Sequence, residues 1–235
     1  MKPERKQLLK KTKLSKAVKE INSLELQEKA ENRYAKLLAE NTLIHPVLEK
    51  HLRQSILPAV AVYEVILSAG FSKEIAFQVI RSSVLEAARP MSKIFQTVGR
   101  LPFFFSLLRK MCPLSVRMEF GDPGWKMEWK RNDYIGIEWN CHECFYVDRL
   151  KYYGVPELVS IFCESDDVVY GNIPGVIWGR TKTIGGGAEI CVWGDRIFEK
   201  CGIRRDEGGD GGKTLEIRGK RRLSAWDGGA NYQQS

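Results

Sequence analysis

Asn140-Cys-His-Glu-Cys144-Phe-Tyr-Val-Asp-Arg-Leu-Lys-Tyr-Tyr-Gly154-Val-Pro156-Glu-Leu-Val-Ser-Ile-Phe-Cys163-Glu-Ser-Asp166-Asp167-Val-Val-Tyr170 runs directly into Gly171-Asn172-Ile-Pro-Gly-Val176-Ile-Trp-Gly-Arg180-Thr-Lys-Thr183-Ile-Gly185-Gly186-Gly187-Ala-Glu-Ile-Cys191. The stretch predicts two helices followed by two strands. The first helix runs from Cys144 to Tyr153 and ends at Gly154. The second starts at Pro156-Glu157-Leu158, where a proline suits a first turn, and continues through Cys163 to about Tyr170. Val176–Thr183 and Glu189–Trp193 are strands joined around the three glycines.

Working outward, Trp125, Met127 and Trp129 alternate with Lys126, Glu128 and Lys130, the pattern of a half-buried strand. A turn at Arg131-Asn132-Asp133 leads to a return strand of Tyr134, Ile135 and Ile137–Trp139. Upstream, helices are predicted over 45–69, kinked at Pro58, and from the Ser72 cap to about Ala88, broken at Pro90. Leu101–Met111 is a short apolar helix, and from Pro113 the alternation of Val116, Met118 and Phe120 reads as extended chain. The fold class is therefore α+β: a helical N-terminal half, then an antiparallel sheet of about four strands with two helices inserted between strand pairs.

Four of the six cysteines lie in the opening stretch: Cys141, Cys144, Cys163 and Cys191. One thiolate with a carboxylate to move protons is the minimum for nucleophilic catalysis. Cys144, at a helix N-terminus, is placed where the helix dipole favours a thiolate. Cys163 precedes Asp166 and Asp167 by one helical turn, so one of these carboxylates is the candidate acid or base. Arg180, between Thr181 and Thr183, suits either a bidentate clamp on a carboxylate or a cross-strand ion pair. Four thiols also match the count for zinc or an iron–sulfur cluster, with Cys141, Cys144, Cys163 and Cys191 as ligands, although the spacing is not that of a zinc ribbon. His142 reads as an exposed residue, and His45 and His51 as helix-surface residues.

The chain resembles the L-2-amino-thiazoline-4-carboxylic acid hydrolase family. The matching features are Cys144 with Gly154 ten residues on, Pro156-Glu157-Leu158, Phe162-Cys163, Ser165-Asp166-Asp167, Tyr170-Gly171-Asn172, Arg180-Thr181-x-Thr183 with Gly185-Gly186-Gly187, and Cys191. The resemblance is sharp over about 140–191 and diffuse from about 45. It implies a hydrolase that opens the thiazoline ring of L-2-amino-thiazoline-4-carboxylate to N-carbamoyl-L-cysteine, or acts on a related heterocycle. Cys163, Asp166, Asp167 and Cys144 would be catalytic, and Arg180, Thr181, Thr183 and Asn172 would bind substrate. A non-enzymatic ligand-binding or sensing domain and a cysteine-ligated metal protein are the alternatives.

The formal charge of +8 is concentrated at the ends. Residues 1–20 carry a net +6 and residues 196–235 a net +3, leaving the body close to neutral. No basic stripe interleaved with aromatics marks the body, so a nucleic-acid partner is not expected. No run of 18 or more apolar residues is present to span a membrane. Six cysteines without a secretory signal read as reduced thiols of a cytoplasmic protein. The expected partner is a small-molecule substrate, no cofactor is expected, and self-association into a homo-oligomer is left open. Residues 1–42 read as a basic helical extension with an apolar stripe at Leu14, Val18 and Ile21, and 43–195 as the α+β domain. Residues 196–235 hold eight of the 21 glycines and read as a disordered tail. The family pattern fails just after Cys191, and a reading-frame shift there would account for the change in composition.

Overall fold

The computed structural model describes residues 7–41 and 45–197. The glycine-rich tail expected from residue 196, and with it the frame-shift expectation, lies outside the described residues beyond 197. A 3-10 turn, Leu8–Lys11, opens the described chain, and eight α-helices follow in order among these residues: α1 Ser15–Glu20, α2 Leu24–Glu40, α3 Pro46–His51, α4 Leu57–Ser68, α5 Lys73–Val98, α6 Phe104–Glu119, α7 Phe145–Tyr152 and α8 Val159–Tyr170. The strands are β1 Trp125–Asn132, β2 Gly136–Cys144, β3 Val176–Lys182 and β4 Cys191–Ile197. They form one antiparallel sheet in the order β1-β2-β4-β3, so the last strand is inserted centrally. The fold is α+β, with the helical half first and α7 and α8 between the two strand pairs.

The prolines act differently from the sequence expectation. Over 46–68 the chain stays helical, and a π-helical turn, Leu52–Ile56, sits just before Pro58, which has no N–H to give; the Gln54 carbonyl four residues earlier accepts from Lys13 N–H instead. Pro90 does not end α5, which runs on to Val98, nor does Pro113 end α6. Val116, Met118 and Phe120, expected to be extended, therefore lie on the last turn of α6 or just past it. Helical neighbours on either side outweigh one lost backbone bond at each proline. β2 is longer than expected and runs through Asn140 to Cys144, which puts Cys141 and His142 in a strand.

The main core is formed by α4, whose residues are mostly buried, packed against α2 and α5; α8 packs on α5, and α7 on the π-helical turn before α4. The N-terminal segment is part of it. Leu9, Leu14 and Ala17 are fully buried. Their backbone is tied down by Lys13 N–H donating to the Gln54 carbonyl (3.0 Å) and Ala17 N–H donating to Ser83 Oγ (3.0 Å). Ser83 Oγ in turn donates to the Lys13 carbonyl (2.9 Å). Buried Glu31 accepts from the N–H groups of Leu8 and Leu9. The apolar stripe of the sequence thus packs, with Leu14 at its centre.

One face of the sheet carries Ile137, Trp139 and Cys141 of β2 and Cys191 and Trp193 of β4, following the two-residue period of a strand. Its aromatic half rests on α6 through Phe105 and Cys112. Its cysteine half meets α7 and α8, and that end carries the chemistry.

Candidate active site

Cys141 and Cys191 are direct partners across the β2–β4 pair, and Trp139 and Trp193 are the next partners on the same face. The strand register therefore delivers two thiols to one spot. The turn Ile184–Gly186 covers them, and Ile184 N–H donates to Cys191 Sγ at 3.2 Å. This turn packs tightly on α8: a Cβ at Gly185 would stand 2.4 Å from Val159 Cγ1 and 3.6 Å from Cys163 Sγ. The next residue, Gly187, has φ +92°, which favours glycine. The glycine run thus lets the strand connection approach the cysteine-bearing helix.

The thiols differ in their electrostatics. The Cys141 thiol, together with Ile184 N–H and the nearby Arg180 cation, holds Cys191 below the usual thiol range against the opposing effect of burial. Cys141 goes the other way: its contact with Cys191 and its burial hold it protonated, and its S–H donates to the Glu143 carbonyl at 3.0 Å. Burial pushes Cys163 up to about 12, despite Arg180, and Cys144 up to about 11. Cys144 does sit at the N-cap of α7, with the N–H groups of Tyr146 and Val147 aimed at it. Desolvation outweighs those dipoles there. Of the four thiols, Cys191 is the one whose surroundings favour the thiolate.

Asp166 is half-buried on α8, and desolvation pushes its carboxyl up to about 7; the Arg180 and Lys13 cations pull against that shift. Among the described residues no hydrogen-bond donor meets its carboxylate. Asp167 faces elsewhere. It accepts from Trp178 Nε1 (2.9 Å) and pairs with Arg180, whose other terminal nitrogen donates to the Cys163 carbonyl. Arg180 also lies over the Trp193 ring, 5.3 Å from its centroid. Arg180 and Asp167 therefore brace α8 against β3 and β4, and the two adjacent carboxylates have separate roles.

Four residues that the sequence reading did not place in the site, Lys13, His51, Ser55 and Tyr146, belong to this neighbourhood. Lys13 is largely desolvated, which lowers its pKa, and Asp166 is the foremost charge acting on it. Among the described residues its ammonium makes no ion pair. His51, read from sequence as a surface residue, is buried. Its Nε2 lies 2.7 Å from the Glu119 carbonyl, which can only accept, so Nε2 carries the proton and Nδ1 accepts from Tyr146 Oη at 3.1 Å. Burial lowers the His51 pKa, consistent with a neutral ring. Ser55 hydrogen-bonds to Tyr146, and Asp166 and Cys144 are among the charges that act on Tyr146. No local pattern betrays His51, which lies in an ordinary helical sequence. Lys13 adjoins buried Leu14 at the border of the apolar stripe, a weak signal at most.

The remaining predicted residues stand apart. Asn172 and Thr181 are exposed, and no contact among the described residues joins them to the cluster. Thr183 caps the glycine turn by accepting from Gly186 N–H at 2.9 Å, and supports the site only through that turn. His142 is exposed on β2 and meets Glu128 at 3.0 Å, while His45 caps α3. Among the described residues, no three His, Cys, Asp or Glu side chains converge in a metal-ligating group. An open groove of about 670 Å³ between α6 and β1 is lined by Phe120, Trp125 and Trp129 and by none of the cysteines nor Asp166, although Trp125 is the cross-strand partner of Cys144.

One donor in the cluster is unmatched. Trp193 Nε1 is close enough to Cys191 to favour its thiolate, yet it makes no hydrogen bond of ordinary geometry among the described residues and is buried. A buried donor without a partner is costly, and a ligand acceptor would relieve it.

Residues 49–193 match the family model described as L-2-amino-thiazoline-4-carboxylic acid hydrolase. The matched region takes in α8, the glycine turn and Cys191, and it begins after Lys13. No curated protein and no solved structure matches the chain.

Proposed function

The chain belongs to the L-2-amino-thiazoline-4-carboxylic acid hydrolase family, and from that membership we propose that it opens the ring of L-2-amino-thiazoline-4-carboxylate, giving N-carbamoyl-L-cysteine, or opens a related small cyclic amidine. The family supports a hydrolase; the substrate and the roles below are the reading that the cluster favours. The observation that carries it is geometric: Cys191 lies opposite Cys141 across the sheet, receives Ile184 N–H on its sulfur at 3.2 Å, and sits under the glycine turn that packs on α8, the helix of Asp166. The surroundings push the Cys191 thiol down and the Asp166 carboxyl up. Opposed shifts of this kind match an acid–base and nucleophile pair working near pH 7.

The substrate enters as the amidinium cation. Cys191 adds to the carbon between ring sulfur and ring nitrogen, and the bond from that carbon to the ring sulfur breaks. Protonated Asp166 gives its proton to the departing ring thiolate. The reacting carbon is now held on Cys191 as an S-linked isothiouronium. Asp166 then takes a proton from water as the water oxygen adds to the same carbon. The bond to Cys191 breaks, the thiolate is restored, and the carbamoyl group forms as the amidinium proton is lost. One water is consumed and one thiol is released.

The other residues follow from charge and reach. Lys13, without an ion-pair partner among the described residues, takes the substrate carboxylate. Trp193 Nε1 donates to the bound substrate. Arg180 holds α8 in place through Asp167 and favours the Cys191 thiolate. Purified protein incubated with L-2-amino-thiazoline-4-carboxylate should release a thiol, with a product heavier than the substrate by one water. No thiol release from this compound or from a panel of other cyclic amidines would refute the assignment.

A further inference from the structure

The face of α6 turned away from the sheet is unusual for a buried-core protein. Leu107, Met111, Leu114 and Met118 are spaced by four, three and four residues, so they form one stripe along the helix. Each is between 50 and 66% exposed. The stripe continues at the start of the helix with Leu101 and Phe103, also exposed. The opposite side of α6 is already used: Phe105 and Cys112 are buried against the sheet. The helix is therefore amphipathic twice over, with one apolar side packed and a second left in water. Contiguous exposed apolar surface of this kind marks an interaction site.

The charges beside the stripe indicate what it meets. Residues 100–118 contain Arg100, Arg109, Lys110 and Arg117 and no acidic residue. Arg117 and Lys110 immediately flank the apolar positions. Two copies of α6 packed stripe to stripe would bring these cations together, since the one acidic residue of the helix, Glu119 at its end, is already paired with Lys50 at 2.7 Å. An anionic lipid surface supplies both partners: acyl chains for Leu, Met and Phe, and head-group charge for Arg and Lys.

We propose that the outer face of α6 docks the folded protein, in the plane of the bilayer, on membranes containing anionic lipid. The helix lies flat and does not insert across. Among the described residues no helix is long and apolar enough to cross a membrane.

The test is flotation of the full-length protein with vesicles of phosphatidylcholine plus phosphatidylserine, and with vesicles of phosphatidylcholine alone. The protein should float with the first and not with the second. Lys110→Gln with Arg117→Gln should weaken binding by about 30-fold, from roughly 1 kcal/mol per basic residue near such a surface. Leu114→Glu should abolish binding with an unchanged far-ultraviolet circular dichroism spectrum, because Leu114 is exposed. Equal flotation on both vesicle types would overturn the proposal, as would no flotation on either. A stable dimer that Leu114→Glu converts to monomer would overturn it in favour of self-association.

Discussion

At the scale of single residues, Asp166 and Cys191 carry opposite consequences for stability. Burial raises the folded-state pKa of Asp166 to about 7, while the unfolded chain releases that proton near pH 4. Its contribution to stability is therefore greatest below about pH 4, falls as pH rises, and is lost above about 7. Asp166→Asn removes the ionisable group and keeps the shape. It should raise stability at pH 8 by on the order of 2–4 kcal/mol and change it little at pH 4, while lowering turnover. Parallel thermal melts at the two pH values check this; an equal shift at both would show that Asp166 is not held protonated. The thiols give a second comparison. Cys191→Ser should reduce kcat/KM by more than about 100-fold, roughly 3 kcal/mol in the barrier, whereas Cys163→Ser should cost less because the Cys163 thiol stays protonated at neutral pH. The reverse ranking would move the nucleophile to α8.

At the scale of elements, the decisive contacts are those that fix α8 and the glycine turn against the end of the sheet. Gly185→Ala places a methyl 2.4 Å from a branched side chain that has little room to turn. It should destabilise the fold by about 1–3 kcal/mol and reduce activity per folded molecule, since the turn also supplies the Ile184 N–H to Cys191. A neutral outcome in urea unfolding would show that α8 and the turn can separate freely. Arg180→Lys keeps the charge but loses the planar fork that reaches Asp167 and the Cys163 carbonyl together. Lower thermal stability is the main expected effect. A raised KM with unchanged stability would instead favour a direct clamp on the substrate carboxylate.

These elements also mark where sequence suffices. The helices α7 and α8 and the two strand pairs were legible because glycines, a first-turn proline and two-residue alternation punctuate them clearly. The brace of Arg180 on Asp167 was legible only as one of two options. Helices α5 and α6 were misjudged in length because proline is a local signal, while the packing that carries a helix past Pro90 and Pro113 is not. The pairing of Cys141 with Cys191 was hidden for a similar reason. It depends on β4 inserting beside β2, and strand order leaves no mark on spacing along the chain. His51 and Lys13 could be recognised only once distant helices were brought together.

At the scale of the whole molecule, residues 7–20 are tied to the core and reach the site. Leu9, Leu14 and Ala17 are fully buried, and Lys13 lies among the charges acting on Asp166. A chain begun at Asn22 loses two buried leucines and an alanine, about 4–6 kcal/mol of apolar burial, which is comparable with the total stability of many domains. It should be insoluble or partly unfolded. A truncated chain with native stability and native turnover would separate the segment from both core and site. Lys13→Gln isolates the second role, and should raise KM for a carboxylate substrate far more than it lowers stability.

The most direct test of the ring-opening account is the mass of the intact protein quenched during turnover of L-2-amino-thiazoline-4-carboxylate. The account predicts that a fraction of the protein gains the full mass of the substrate, that peptide mapping places the gain on Cys191, and that Cys191→Ser shows neither the gain nor thiol release. Sustained thiol release by Cys191→Ser at the rate of the unaltered protein, with no adduct on Cys191 in either, would contradict it.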